Sequence, residues 1–499
     1  MDWASYPAFS DRVLSMIGIE IHWLILQYVL GLPLMAVIAE AIYLKTKDER
    51  WKKIAKTLAK GFVIVFAVGA GMGTASEFGL ILLWPNLTEI AGKYIYFPLY
   101  AEIFAFMMEV IFVYMFYYAW DKIPDKAHLI VGILALTGAW FSATMIVSVN
   151  SYMQAPTGIM VGDYSMGYPK LMLVVPYKIA SALNVSALQS AGMDILGTSK
   201  DGVVVALPCS IVKAIVADAF SGKVIKDSVL YGVLNDSVKG ALANVSVKSV
   251  LDAIVWNTVK HVGVYTVTFQ SPVFGASVMH AIMAGVVVSA FTVLASYGLS
   301  YWRRKSDTAV LGYRYALIFA LIAIVLQGFV VGHEMGVAVA EWNREKFATI
   351  LHGSPEFLKK MELTLAYGNP NVDYVRYEDI PNWLKPPLII HDLYYLKVGL
   401  AILLGLVALA LTYQTFVRKR PIYSPYLIAL PVVAQIVSFL GWAVREMGRK
   451  PWTVYGIMDV KTAHTMNPPS PALAGLFALY FVVLLSVLIY AVYRFLWRC

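Results

Sequence analysis

Eight polar side chains stand inside apolar runs that should exclude them: His22, Glu77, Glu102, Glu109, Ser142, Asn150, His280 and Glu446. A charged side chain at the centre of a bilayer costs about 2.5–3.5 kcal/mol on insertion scales, so its placement is informative. Glu102 and Glu109 are seven residues apart, which puts them on one helix face about 10 Å apart along the axis. Asp121 lies about 18 Å further along the same helix, towards the cytoplasm. A ladder of acids like this suits proton delivery through a low-dielectric bundle. His22 and His280 are intramembrane imidazoles on distant stretches, too far apart in sequence for a helical His-x-x-x-His metal site. Two at one depth with carboxylates near suit axial ligation of heme iron. Taken singly, each of these residues reads equally well as a hydrogen bond between helices.

The elements that must carry them are membrane helices. Of the 499 residues, 59% are apolar and only 14% charged, against about 25% charged in a soluble domain, which excludes an ordinary soluble enzyme. Nine apolar stretches are long enough to cross a bilayer: 19–44, 61–84, 97–120, 128–149, 273–301, 311–340, 386–417, 423–445 and 471–497. The first is too long for a signal peptide and lacks a basic start and a small-residue cleavage site. Trp84, Trp120, Trp302, Trp452 and Trp497 sit at span ends as interfacial anchors.

Loop charge orients the bundle. The first loop carries Lys45, Lys47, Arg50, Lys52, Lys53, Lys56 and Lys60; the third has Lys122 and Lys126. The fifth has Arg303, Arg304 and Lys305, the seventh Arg418, Lys419 and Arg420, and the C-terminus Arg494 and Arg498. Every odd loop is short and basic, which predicts an all-α polytopic membrane protein with nine transmembrane helices, the N-terminus outside and the C-terminus in the cytoplasm. In that frame the eight polar residues share the outer half of the membrane. Because the basic residues are spread over loops, the net charge of +9 implies no nucleic-acid partner.

The chain divides into 1–154 (helices 1–4), 155–270 (a large external insertion or cap), 271–340 (helices 5 and 6), 341–385 (a second external loop) and 386–499 (helices 7–9). The cap holds apolar patches too short to cross, and its length suggests a small folded unit. Only two cysteines, Cys209 in the cap and Cys499 at the inner end, are present, so a four-cysteine metal site is excluded and a disulfide between them is implausible. Phe106, Met107, Met108, Met145 and Met153 would line a cofactor cavity and would pack an ordinary helix interface equally well. Gly69, Gly71 and Gly73 allow close helix approach or room for a flat ligand.

The run Gly448-Arg449-Lys450-Pro451-Trp452, preceded by Gly441-Trp442 and Glu446, resembles the eighth-span signature of cytochrome bd-type terminal oxidases, subunit I. The resemblance takes in Arg12 with His22, Glu77-Phe78 with Trp84, Glu102 and Glu109 followed by Trp120-Asp121, Ser142, Asn150, Met153-Gln154-x-Pro156 and His280. It covers nearly all of the membrane part and leaves out the cap. It implies a respiratory enzyme of the prokaryotic plasma membrane that passes electrons from quinol to dioxygen, with heme d, one or two hemes b (or a third heme b in place of heme d) and a second membrane subunit. His22 and Glu446 then resemble the axial ligands of the two high-spin hemes, and Glu102 the carboxylate beside them. Glu109, Asp121 and Ser142 resemble the cytoplasmic proton path, Arg12, Trp442 and Arg449 residues that support the hemes, and His280 a ligand of the low-spin heme.

Two stretches depart from that pattern. Where the family has an Arg-x-Met whose methionine ligates the low-spin heme, this chain reads Tyr395-Leu396-Lys397-Val398-Gly399. Lys397 would have to ligate as a neutral amine, which needs a strongly lowered pKa, or the site has lost its heme or holds it five-coordinate. In the 341–385 loop, Asn343 and Lys346 match the Gln and Lys of the family's quinol loop, while Leu351 stands where its Glu would be. Two other readings compete. One is a diverged paralogous subunit with an incomplete heme set; the other is a proton-coupled transporter, for which paired Gly/Pro-broken helices would be expected and are not seen.

Overall fold

The computed structural model describes residues 9–94, 96–155, 157–162, 169–199, 202–262, 267–380, 382, 384–455, 458–464 and 470–498. Its long helices are α1 (Phe9–Thr46), α2 (Glu49–Leu83), α3 (Tyr96–Tyr118), α4 (Asp125–Gln154), α5 (Phe274–Arg304), α6 (Asp307–Trp342), α7 (Ile389–Val417), α8 (Ala429–Met447) and α9 (Pro471–Arg498). Among the described residues eight helices, α1 to α8, are long and apolar enough to cross a membrane, and α9 carries the apolar stretch Gly475–Tyr490.

Local chemistry starts and stops these helices where the basic loops fall. The Asp48 carboxylate caps α2 by accepting from the Arg50 backbone N–H at 2.9 Å, and Glu49 in the first turn complements the helix dipole. α5 ends in Arg303 and Arg304 and turns at Lys305 in the left-handed region, φ 53°. α6 contains a π-helical turn at Gln327–Val331 and α7 ends in another at Tyr413–Val417; such widened turns often occur at functional positions.

α1 and α5 form the centre of the bundle, with 72% and 78% of their most apolar windows buried, whereas α3 and α7 are peripheral at 22% and 17%. The two central helices cross at Gly31 and Gly285. A Cβ on Gly31 would lie 2.5 Å from the Gly285 carbonyl oxygen, and one on Gly285 would lie 2.6 Å from Leu30 Cβ. Small residues at a crossing let backbones meet in a medium where hydrophobic burial offers little drive. Ser289 uses that closeness to donate to the Gln27 carbonyl at 3.1 Å.

The membrane part is helical as expected, but the cap is not. It is built on a five-stranded antiparallel sheet of order β3-β4-β2-β1-β5, from Thr157–Gly162 (β1), Pro169–Pro176 (β2), Asp194–Ser199 (β3), Gly202–Pro208 (β4) and Val267–Gln270 (β5). Helices Cys209–Phe220 and Val247–Val262 pack against β2. The short apolar patches of the cap, Leu171–Val175 and Val203–Ala206 among them, pair as neighbouring strands and supply Leu173, Val175 and Val205 to a local core. The all-α reading therefore holds for the membrane part, and the cap is α+β. The cap is tied to the second external loop through Arg344, which donates to the Tyr177 hydroxyl at 2.5 Å and lies over that ring.

Candidate functional site

The densest polar contacts join the C-terminal ends of α4 and α8. Asn150 and Gln154 are four residues apart on α4 and so share a face. Asn150 Nδ2 donates to Glu446 Oε1 at 2.8 Å, and the Gln154 amide reaches the same oxygen at 3.5 Å. Arg449 Nη2 donates to the other oxygen, Oε2, at 2.6 Å. Arg445 spans the group by donating from Nε to Asn150 Oδ1 at 2.5 Å and from Nη1 to Ser277 Oγ of α5 at 2.9 Å.

Two residues of the second external loop complete this cluster from above. Helix Arg344–Leu351 carries Lys346, only 1% exposed, whose Nζ donates to Gln154 Oε1 at 2.9 Å and to the Arg445 carbonyl at 3.3 Å. Asn343 donates to the Gln154 carbonyl at 2.8 Å. Gly448 makes room for the lysine: a Cβ there would lie 2.4–2.7 Å from the Cγ, Cδ and Cε of Lys346. Burial pushes the Lys346 ammonium well below its ordinary pKa, and the neighbouring Arg445 and Arg449 push it the same way. Arg449 alone pairs with the Glu446 carboxylate, while Arg445 and Lys346 are held beside it through Asn150 and Gln154, and Arg449 keeps Nε and Nη1 buried without a protein partner. That is an anion-hungry site.

The acids of α3 form a second group. Glu109 is 4% exposed and packs against Gly138 of α4, whereas Glu102 is half-buried and accepts from Ser142 Oγ at 3.2 Å. Glu77 stands exposed near the outer end of α2. Asp121 departs from its expected place. α3 stops at Tyr118, and Asp121 lies in the following turn with φ 61°, so it is not on the helix that carries Glu102 and Glu109. There it takes Lys52 at 2.7 Å and Lys56 at 2.5 Å, and these two hydrogen bonds hold its carboxyl down to about 2.

His22 lies against α2, where a Cβ on Gly73 would be 3.0 Å from its Cε1; its Nδ1 is buried and without a partner. Gly69 instead admits Ile25, so two of the three glycines let α1 close on α2. Next to His22, Trp23 stacks on Trp442 of α8 with ring centroids 4.4 Å apart. His22 and Glu446 therefore rest on different walls, linked by the Trp23–Trp442 stack. Arg12 is on α1, but its side chain lies outside the described residues, as does Pro156.

His280 stands apart from both groups. The Gln327 amide nitrogen, in the π turn of α6, lies 3.3 and 3.2 Å from its two ring nitrogens. Lys397 sits with its ammonium 4.7 Å from the Tyr394 ring centre, and the Tyr394 hydroxyl donates to Glu362 at 3.2 Å. Among the described residues no three His, Cys, Asp or Glu side chains gather as a metal site.

Comparison with known proteins decides the family. The model for cytochrome bd terminal oxidase subunit I matches residues 11–251, 252–354 and 358–498. This chain belongs to that family. A Bacillus subtilis (strain 168) protein provisionally named a cytochrome bd menaquinol oxidase subunit I is 23% identical over 92% of this chain and 90% of its own length. The cytochrome bd ubiquinol oxidase subunit 1 of the same organism is 32% identical over 34% of this chain and 39% of its own. The solved bd oxidase of Geobacillus thermodenitrificans shares the fold, with a TM-score of 0.69, 23% identity and 98% of both chains covered. Cytochrome bd subunits I are multi-pass plasma-membrane proteins of bacterial respiratory electron transport, and membership implies a heme-dependent oxidoreductase.

The donors around Glu446 and His22 fit a heme, the group that the family binds. His22 offers an unpartnered ring nitrogen, Arg449 two unpartnered N–H groups suited to propionates, and Trp442 a buried, unpartnered Nε1. The third site does not fit in the same way. The His280 ring nitrogens face an amide, and the position of the family's methionine holds a lysine directed at an aromatic ring.

Several participants escaped the sequence reading. Gln154 appeared there only as part of a motif, Arg445 and Gln327 not at all, and Glu20, whose Oε2 is buried and unpartnered, was passed over beside His22. Their common signal is a polar side chain interrupting a span. That signal marks glutamines and residues flanking a stronger candidate as well as the acids, histidines, Ser142 and Asn150.

Proposed function

We propose that this chain is the heme-bearing subunit of a bd-type terminal oxidase. In this reading it passes electrons from a quinol at the outer face to dioxygen, which is reduced to water with protons drawn from the cytoplasm. It would work with a second membrane subunit, with nine spans and the N-terminus outside. The observation that carries the reading is the Arg449–Glu446 pair with two Arg449 N–H groups left unpartnered, and with Arg445 and Lys346 held beside it through Asn150 and Gln154, a cradle for an acidic prosthetic group.

His22 and Glu446 would hold the high-spin hemes (heme d and a heme b, or two hemes b), with Arg449 and Trp442 at their edges. When bound, the hemes supply the iron that binds and reduces oxygen. The protein's own part is positional. Asn150 and Arg449 fix the Glu446 carboxylate by a hydrogen bond to each oxygen, which sets its orientation. The Trp23–Trp442 stack closes the apolar wall beside His22 and helps to exclude water. Ser142 orients Glu102, and Glu109 below it holds a proton in a buried position. Asp121, pinned by Lys52 and Lys56, marks the cytoplasmic mouth of that path.

Asn343 and Lys346 match quinol-loop positions, yet both are buried against Gln154, so in this chain they brace the loop on the heme cluster and leave quinol contact to other residues. His280 and Lys397 are the resemblance's candidates for the low-spin heme, and no electron step is assigned to them. The test is oxygen consumption by the purified complex with a reduced quinol. Cyanide-resistant oxygen uptake by a coloured preparation supports the reading; a colourless preparation without uptake overturns it.

A further inference from the structure

Far from the outer cluster, one buried pair of titratable side chains has no role in the proposed chemistry. Glu40 lies near the basic-loop end of α1, eighteen residues beyond His22, and His128 lies in the first turn of α4. Both side chains are 2% exposed, and His128 Nδ1 is 2.7 Å from Glu40 Oε1. His128 Nε2 is 3.0 Å from the Phe116 carbonyl of α3. A carbonyl only accepts, so Nε2 carries a hydrogen. The Nδ1···Oε1 contact then holds one further proton, shared by an imidazolium facing a carboxylate or by a neutral imidazole facing a carboxylic acid.

A merely structural pair would have both carboxylate oxygens satisfied. Here Glu40 Oε2 is buried without a partner, as is the nearby Trp120 Nε1. An unsatisfied buried acceptor is costly, and in native proteins such atoms concentrate where function requires them. The surroundings also place the pair on a route. The Trp120 ring lies tilted against the imidazole, centroids 3.9 Å apart, and carries Lys56 over its ring at 5.4 Å; Lys56 in turn binds Asp121 at the surface. Phe116, which anchors His128, is seven residues from Glu109 on α3, hence about 10 Å along the axis. Of the neighbouring acids, Asp121 pairs with Lys52 and Lys56, and Asp125 with Lys47 at 3.5 Å.

We propose that Glu40 and His128 form a proton store at the cytoplasmic end of the bundle, which exchanges through Glu40 Oε2 and supplies the proton that Glu109 passes on. The step balances simply. The pair gives up its shared proton towards Glu109, is left with one negative charge, and regains neutrality by taking a proton from water at the Asp121 surface. This deepens the oxidase reading and rests on it.

The test is oxygen uptake against pH in the intact complex carrying E40Q, which keeps the size and a hydrogen bond to His128 but cannot store a proton. Heme content and spectrum should match wild type. Turnover should fall about tenfold or more, decline further as pH rises, and show a larger slowing in D2O. Wild-type rate and pH profile in E40Q would overturn the store and leave a packing role. If E40Q does not assemble, E40D, which keeps the acid but withdraws it by one methylene, should assemble with slowed turnover that declines more steeply with pH; an unchanged profile would overturn the proposal equally. Wild-type complex without oxygen uptake would overturn the oxidase reading itself, and the store's destination with it.

Discussion

Asn150 of α4 and Glu446 of α8, 296 positions apart in the chain, meet at 2.8 Å through Nδ2 and Oε1. That single bond ties the helix leading into the cap to the helix that ends in the Gly448–Trp452 motif. It explains why a carboxylate can persist at this depth: its two oxygens are claimed by an amide and by a guanidinium. Breaking a buried ion pair from one side leaves the other charge uncompensated, at a cost of about 3–5 kcal/mol. Glu446→Gln should therefore lose a heme and lower the thermal midpoint of the complex. Arg449→Leu should cost less heme, because Asn150 still holds the carboxylate. Hemochrome content and a melting curve check both.

Lys346 offers a sharper discrimination. Its ammonium is sealed beneath Gly448 and bound to Gln154. Lys346→Gln should therefore shift heme absorption or midpoint potential while leaving the KM for quinol within about twofold, since outer-shell changes act on the metal's environment. A large KM change with unaltered spectra would return Lys346 to the quinol site.

The cytoplasmic turn gives a prediction in pH. Asp121 is held near 2 by Lys52 and Lys56, whereas an unfolded aspartate titrates at about 3.9. A depressed folded pKa stabilises at pH above about 4 and loses that stabilisation as pH falls towards 2, because the unfolded chain binds the proton first. The carboxylate is 56% exposed, so the effect is small. Asp121→Asn should flatten the dependence of the melting temperature on pH between about 4 and 2 and leave it unchanged near neutrality.

The Tyr395–Gly399 stretch predicts a spectral gain. With Lys397 drawn over Tyr394 and Gln327 against the His280 ring, wild type should show no low-spin b-type band in a reduced-minus-oxidised spectrum. Lys397→Met, with Gln327→Ala to free the imidazole, should introduce one. A low-spin band in wild type that Lys397→Met leaves in place contradicts this account of the site.

Much of this was legible in the chain. Long apolar runs located the eight helices that are long and apolar enough to cross among the described residues, because bilayer thickness and backbone hydrogen bonding leave few alternatives, although the helices carrying the first two runs begin well before them, at Phe9 and Glu49. His22, Glu102, Glu109 and Glu446 stood out because charge in an apolar run is rare. What stayed hidden was pairing. Nothing in the spacing of Glu40 and His128 announces a contact across 88 positions, and the match of Lys346 to a quinol-loop position does not disclose the slot that Gly448 opens for it. The cap's sheet was hidden for another reason. Strands of six to eight residues such as Thr157–Gly162 and Pro169–Pro176 give short apolar runs that periodicity alone does not separate from buried helix segments. Asp121 left its helix because Ala119–Lys122 closes into a turn, a local choice that the seven-residue spacing above it does not encode.

The central claim is that His22 and Glu446 each hold a heme near one face of the bundle. Pyridine hemochrome analysis of the purified complex, on wild type and on His22→Ala and Glu446→Ala separately, tests it most directly. The account predicts that each substitution removes one heme relative to wild type and abolishes oxygen uptake. Wild-type heme content in both variants would contradict it.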